Sequence, residues 1–296
     1  MAITIAVTNQ KGGVGKTATT SALAYILSQE KHFRVLTIDM DPQRNLDMLA
    51  GKDIAIDTND TKTPSILTVL SHECKMRDAI VPSELGDLCR ASALLSNWIA
   101  KPILERDEFY QLRDTPDELV KLLDDRFASY HPENTLMEIL PEVEDDYDFI
   151  LIDTNPSLTL LTLNALMAAD YVLSPIFLEA ASKEALDELN NTIQSINYNN
   201  PGKKRLQHVG ILPVKMAMHT NLHKTYLPLM EHIANQMQTI IFQNGIKQSV
   251  SVSECMSMHQ NIMKYDPASS PAKCYEAFTD ELLERIKFLE KEQNNG

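Results

Sequence analysis

The chain alternates short, wholly apolar runs with longer amphipathic ones. Residues 3–9 (ITIAVTN), 34–40 (RVLTIDM), 148–154 (DFILIDT), 171–177 (YVLSPIF) and 208–214 (HVGILPV) are rich in β-branched and apolar residues and bounded by polar or turn residues. Such runs lack strict alternation and read as strands covered on both faces. Residues 239–242 read as one more strand. Between them lie helical periodicities: 17–30, with apolar Ala22, Leu23, Ile26 and Leu27, then 182–196 and 221–238. Strand–helix alternation predicts an α/β fold, a mostly parallel twisted sheet with helices on both faces. Residues 57–147 break the rhythm. They are polar and helical in pattern, with weak strand candidates and two amphipathic stretches at 94–109 and 116–130. They read as a mainly helical elaboration within a single domain spanning 1–296.

Composition narrows the class. Hydrophobic residues make up 44% and charged residues 23% of the 296, the profile of a soluble globular protein. No window approaches the ~20 apolar residues of a membrane span. The first residues carry no basic leader, so no secretory signal is expected. The four cysteines, Cys74, Cys89, Cys255 and Cys274, are far apart and form no CxxC pair, as reduced thiols of a cytoplasmic protein would be. A net charge of −14 argues against attraction of the whole surface to nucleic acid or anionic lipid.

The candidate chemistry sits first at residues 10–17, QKGGVGKT. A phosphate loop reads GxxxxGK[ST]; here Gln10 stands at the first position, so the literal pattern fails, but Gly15, Lys16 and Thr17 satisfy its end. Gly12 and Gly13 let the backbone approach closely and turn its N–H groups inward on phosphate. Lys16 is placed for the β- and γ-phosphates and the Thr17 hydroxyl for Mg²⁺. The following helix points its positive end at the anion. A glycine turn with a chance GKT is the alternative, and a strand before with a helix after disfavours it. Asp39 and Asp41 end the second strand as DMDPQ, where carboxyl ends of parallel strands gather ligands; an Asp-Pro turn alone is the plainer reading. Asp153 ends FILID, an apolar strand delivering a carboxylate able to hold Mg²⁺; a strand-end cap is equally compatible with that segment taken alone.

These segments resemble the deviant Walker A P-loop ATPases of the ParA/MinD superfamily, in its Soj-like ParA partition branch. The likeness rests on Lys11, Gly12, Gly13, Gly15, Lys16 and Thr17 against KGGxGK[ST], on DxDPQ at residues 39–43, and on YDxhhID-x-x-P (h, apolar) at residues 147–156. It spans residues 2–56 and 145–285 and implies a P-loop NTPase fold with ATP and Mg²⁺ as cofactors. Nucleotide would be bound by Lys11, Gly12, Gly13, Val14, Gly15, Lys16, Thr17 and Ala18. The metal site would be Thr17, Asp39 and Asp153, with Asp39 supporting hydrated Mg²⁺. The catalytic residues would be Lys11, reaching across a nucleotide-sandwiched homodimer, with Lys16, and Asp41, orienting the attacking water. Asp41 and Pro42 would belong to one switch, Asn155 and Pro156 to the other. Ser174, Pro175 and Glu179 resemble the family's partner-facing segment. Residues 245–254 resemble IRxSVxLxEA with Lys247 in place of arginine, while an aspartate usual just past the strand at 209–214 is missing. The branch implies slow ATP hydrolysis, non-specific DNA binding, nucleoid association with ATP bound, and a ParB-like partner that stimulates hydrolysis during plasmid or chromosome partition.

Two other readings remain in view. A MinD-like positioning ATPase needs a basic amphipathic helix for the membrane. The stretch 275–293 has an apolar stripe at Tyr275, Phe278, Leu282, Ile286 and Leu289, but a mainly acidic polar face, so no membrane partner is expected. A reductase-like relative with a metal cluster would need converging cysteines, and none has motif context. For DNA, residues 201–275 carry eight lysines and arginines against three acidic residues. Lys215, His219, Lys224, Lys247 and Lys264 are the candidate contacts; ordinary scatter of surface charge is the alternative.

Overall fold

In the computed structural model the described residues are 1–51, 63–99, 131–200, 205–216 and 221–295. Seven strands form one sheet: β1 (Ile3–Val7), β2 (Val35–Asp39), β3 (Ile80–Ser83), β4 (Gly86–Cys89), β5 (Phe149–Asp153), β6 (Tyr171–Ile176) and β7 (Gln207–Pro213), in the order β3-β4-β2-β5-β1-β6-β7. All neighbours are parallel except the edge pair β3 and β4. Parallel strands need crossovers, and α1 (Lys16–Tyr25, running on through a wider turn at Ile26–Glu30), α2 (Asn45–Leu49), α3 (Leu160–Ala168) and α4 (Ala181–Asn199) lie between strands; α5 (Asn221–Gln236), α6 (Val250–Ser257), α7 (Ile262–Tyr265) and α8 (Ser270–Asn295) follow β7.

The apolar runs are continuous because both faces of each strand are covered. In β5, Phe149 and Leu151 enter a core shared with α1 and α8, while Ile150 and Ile152 enter a second core with α3 and α4. The stripe of α8 is spent on the first core: Tyr275, Phe278, Leu282, Ile286 and Leu289 are all buried, and Phe278 meets Phe242 edge-on at 4.9 Å between ring centroids. Each such side chain removed from water is worth about 1.5–3 kcal/mol. That leaves α8 no apolar stripe for a bilayer, and among the described residues no helix is long and apolar enough to cross a membrane.

One expectation is extended and one is corrected. Residues 57–147 contain a β-hairpin, β3 and β4, at the sheet edge. Both strands have only four residues, and Pro82 in β3 is tolerated because an edge strand has one unpaired side. The helix expected at 94–109 begins, with residues 95–99 helical, but its remainder and the stretch 116–130 lie outside the described residues. Residues 239–242 form no strand, only a single bridge from Ile241 to Ile211. Phe242 folds its ring over Gly210, where a Cβ would lie 2.2 Å from the ring, and the amides of Gln243 and Asn244 then leave the sheet to donate to the Glu281 carboxylate.

Candidate functional site

Register alone assembles the centre. Val7, Asp39 and Asp153 are direct partners across β1, β5 and β2, so the loop after β1 and both carboxylates meet at the carboxyl edge of the sheet. The loop then turns into α1. Gly13 and Gly15 adopt left-handed backbone, φ 74° and 80°, which a side chain would strain, and Gly15 is the residue from which α1 starts. The amides that follow point out of the helix end towards the site. Asn9 locks the loop at its base: its Nδ2 donates to the Pro175 carbonyl at 2.8 Å and its Oδ1 accepts the Lys11 amide at 2.8 Å.

Lys16 is 6% exposed, and its Nζ lies 3.3 Å from the Lys11 carbonyl within the loop. Burial lowers its pKa; Asp153 and then Asp41 oppose that. Thr17 Oγ1 donates to Asp153 Oδ2 at 2.8 Å, so the hydroxyl and carboxylate expected at Mg²⁺ already touch. Thr20, not singled out from sequence, donates to the other oxygen, Oδ1, at 2.9 Å. Its signal was its place one turn beyond Thr17 on the same helix face. Asp153 is fully buried and its pKa is pushed up to about 7, by burial first, with both threonine hydroxyls and Lys16 opposing and Asp41 adding to the rise.

Asp39 is also fully buried and raised well above the carboxylate range, by burial first and then by Asp47 and Asp153. It accepts backbone amides: Asp41 N at 2.9 Å on Oδ1, and Leu46 N at 3.2 Å and Asp47 N at 3.4 Å on Oδ2. It thus ties down the segment carrying Asp41 and the start of α2. Asp41 is nearly buried and accepts the Gln43 amide at 2.9 Å. Beneath lies a pair missed from sequence, Arg44 and Asp47, whose Nε and Oδ2 are 3.3 Å apart. Burial raises Asp47 to about 6, and the Ala91 amide and Arg44 restrain it. On the far side Pro156 Cβ lies 3.9 Å from where a Cβ on Gly12 would sit. Asn155 Oδ1 accepts the Thr162 hydroxyl at 2.8 Å, anchoring that segment to α3.

These residues suit Mg²⁺ with a polyphosphate. Asp41 and Asp153 act on Lys16, the one buried lysine among the described residues, and Asp39 is in turn pressed by both carboxylates, an excess of negative charge that a cation relieves. Among the described residues no group of three or more His, Cys, Asp or Glu could hold a metal unaided. Mg²⁺, which keeps waters and takes phosphate oxygens, needs no such cage.

Lys11 stands apart. Its Nζ forms an ion pair with Glu179, both side chains partly exposed. The basic candidates are only partly united. Met216 bridges to Lys247, so Lys247 lies beside the Lys215 turn, and Lys247 shares a groove of about 550 Å³ with Lys273 of α8. Lys215 has positive φ and its ammonium lies 4.5 Å over the Phe177 ring. Lys264 is paired with Glu84. His219 and the side chain of Lys224 lie outside the described residues.

A family model described as an AAA domain, AAA_31, matches residues 2–207. The chromosome partitioning protein ParA of Myxococcus xanthus is 34% identical over 284 residues, covering 95% of this chain and 88% of that one. The sporulation initiation inhibitor protein Soj of Bacillus subtilis is 30% identical over 275 residues, 92% of this chain and 94% of the other. Among solved structures, cobyrinic acid a,c-diamide synthase of Mycobacterium smegmatis with bound ADP and magnesium superposes with a TM-score of 0.71 at 25% identity, covering 97% of this chain and 96% of that chain.

Proposed function

From the premise that this chain belongs to the ParA family of P-loop ATPases, we propose that it is a partition ATPase working as an ATP-dependent dimer. With Mg²⁺-ATP held by residues 11–18, two copies close on the nucleotide. The dimer binds DNA non-specifically, and a ParB-like partner stimulates hydrolysis and resets the cycle.

The observation that carries this reading is the position of Lys11. Lys16 is buried in the chain's own site, whereas the Lys11 side chain is a third exposed and its ammonium pairs with Glu179. By exchanging Glu179 for phosphate, a lysine so placed can serve a neighbouring copy's nucleotide. Phosphoryl transfer depends mainly on fixed positive charge around the transferring group. A monomer that offers Lys16 alone has an incomplete clamp, so slow hydrolysis by the free protein is expected. Mg²⁺ would supply charge neutralisation on the phosphates; Thr17 and Asp153 would hold it, Asp39 fixes the backbone beneath, and Asp41 would orient water. The fold does not choose the process, since a protein named as a diamide synthase shares it; the Myxococcus relative, named for chromosome partitioning, favours partition.

The test is Lys11→Ala. Nucleotide binding should stay within a fewfold of wild type while ATP-dependent dimerisation, followed by light scattering, is lost. A variant that still dimerises with ATP removes the cross-dimer role.

A further inference from the structure

The amino-terminal edge of the sheet, opposite the phosphate loop, holds a second cavity, of about 410 Å³. It opens where β7 begins and the last turns of α8 pass α4 and α5. Residue spacing along β7 separates it from the nucleotide loop by roughly 20 Å. Its floor is apolar, with Leu206, Met237 and Leu289 all buried. Its polar groups are unusual for what they lack. His208 is 7% exposed, and neither ring nitrogen has a hydrogen-bond partner. The neighbouring Gln207 has a buried, unpaired Oε1, and Arg285, facing them from α8, has a buried, unpaired Nε.

Buried polar atoms in folded proteins are nearly always satisfied, so four orphans on three side chains lining one cavity call for a common partner. Their chemistry defines it. Arg285 is a partly desolvated cation; burial pulls its pKa down, and Glu292 at the rim only partly offsets this. The imidazole, held by burial down to about 4, is neutral and offers one donor and one acceptor; the Gly210 backbone lies near the ring without reaching hydrogen-bond geometry. Gln207 Oε1 asks for a donor. Arg205 stands exposed at the mouth, a second positive charge.

We propose that this cavity is a ligand site for a small hydroxylated oxyanion. Its phosphate or carboxylate head rests on Arg285, its hydroxyl bonds with Gln207 and His208, and its carbon body lies on Leu206, Met237 and Leu289. A volume of this size suits such a molecule. An arginine takes either oxyanion through charge-assisted hydrogen bonds. The inference stands independently of the partition reading.

The test uses full-length protein saturated with Mg²⁺-ADP, so that the phosphate loop is closed to added anions. Glycerol 3-phosphate and malate are titrated separately by calorimetry, and the imidazole ¹⁵N resonance of His208, assigned by its loss in His208→Gln, is followed. Saturable binding of one probe with a shift of that resonance is expected, and the probe that binds identifies the head group. Arg285→Gln should weaken binding at least about tenfold, and Gln207→Leu should weaken it less, with ADP binding unchanged in both. Absence of saturable binding of both probes up to about 10 mM overturns the proposal, as does equal affinity in Arg285→Gln. Binding that appears only when ADP is omitted assigns the anion to the phosphate loop and also overturns it.

Discussion

Asp153→Asn should make the nucleotide-free protein more stable while disabling it. In the wild type, folding takes this carboxylate from water, where its pKa is 3.8, to a buried position where it is about 7. The direction of the linkage follows. A carboxyl whose folded pKa is raised gives most stability below its unfolded pKa, and loses it as pH rises through the folded one. About three pKa units at ~1.36 kcal/mol each set a ceiling of about 4 kcal/mol for the cost of the ionised form near pH 8. An amide of the same shape avoids that cost. Its oxygen can still accept the Thr17 hydroxyl, and Thr20, which has the Lys16 carbonyl at 3.0 Å as an alternative acceptor, can receive the new N–H. Allowing about 1 kcal/mol for poorer hydrogen bonding and for the partner lost to Lys16, the gain near pH 8 is about 2–3 kcal/mol. By about pH 5 it shrinks to about 1 kcal/mol or less, because the wild-type carboxyl is then protonated in the fold. Urea unfolding of both proteins without nucleotide at the two pH values measures this. Repeating it with Mg²⁺-ADP should reverse the order, since only wild type gains from the metal. A variant less stable near pH 8, or a gain that ignores pH, would refute the electrostatic account of the site.

Asp41→Ala should leave Mg²⁺-ATP binding intact and trap the ATP-bound dimer; nucleotide retained through gel filtration checks it, and rapid loss would reassign Asp41 to the metal. Lys247→Glu should weaken DNA binding by the ATP-bound protein and lower the slope of log affinity against log salt by about 1, whereas Lys264→Glu should act less through lost phosphate contact, because Glu84 already neutralises that lysine. An equal slope change in both would show that the Glu84 pair does not persist in solution. Phe278→Ala should cost about 3–5 kcal/mol in urea unfolding, the figure for a fully buried ring that also loses an edge contact to Phe242. A cost under about 1 kcal/mol would mean that α8 packs more loosely than the structure has it.

The strands β1, β2, β5, β6 and β7, the phosphate loop and the long helices were legible in the sequence because their signals are local. A continuous apolar run, glycines at 12, 13 and 15, and an apolar stripe on 275–289 each state a requirement of the backbone a few residues away. So was the place of Asp39 and Asp153 at the carboxyl edge of the sheet, since each ends an apolar strand. What the sequence could not determine rests on partners far along the chain. Thr17 and Thr20 find Asp153 more than 130 residues on, and Lys11 finds Glu179 at a separation of 168. The hairpin at 80–89 was invisible because four-residue strands with a proline carry almost no period, and only the open edge of β2 gives them something to pair with. Residues 239–242 had a strand's composition, yet the Phe242 ring over Gly210 and Glu281 on the next amides drew them off the sheet. The orphaned atoms around His208 belong to this second group as well. Composition shows a histidine after a glutamine; only the packing of β7 against α8 decides that the imidazole and the Gln207 Oε1 are buried without a hydrogen-bond partner. Local pattern sets which elements form, because propensity and burial act over a few residues. Tertiary packing sets which polar groups meet, because those contacts exist only once the layers close.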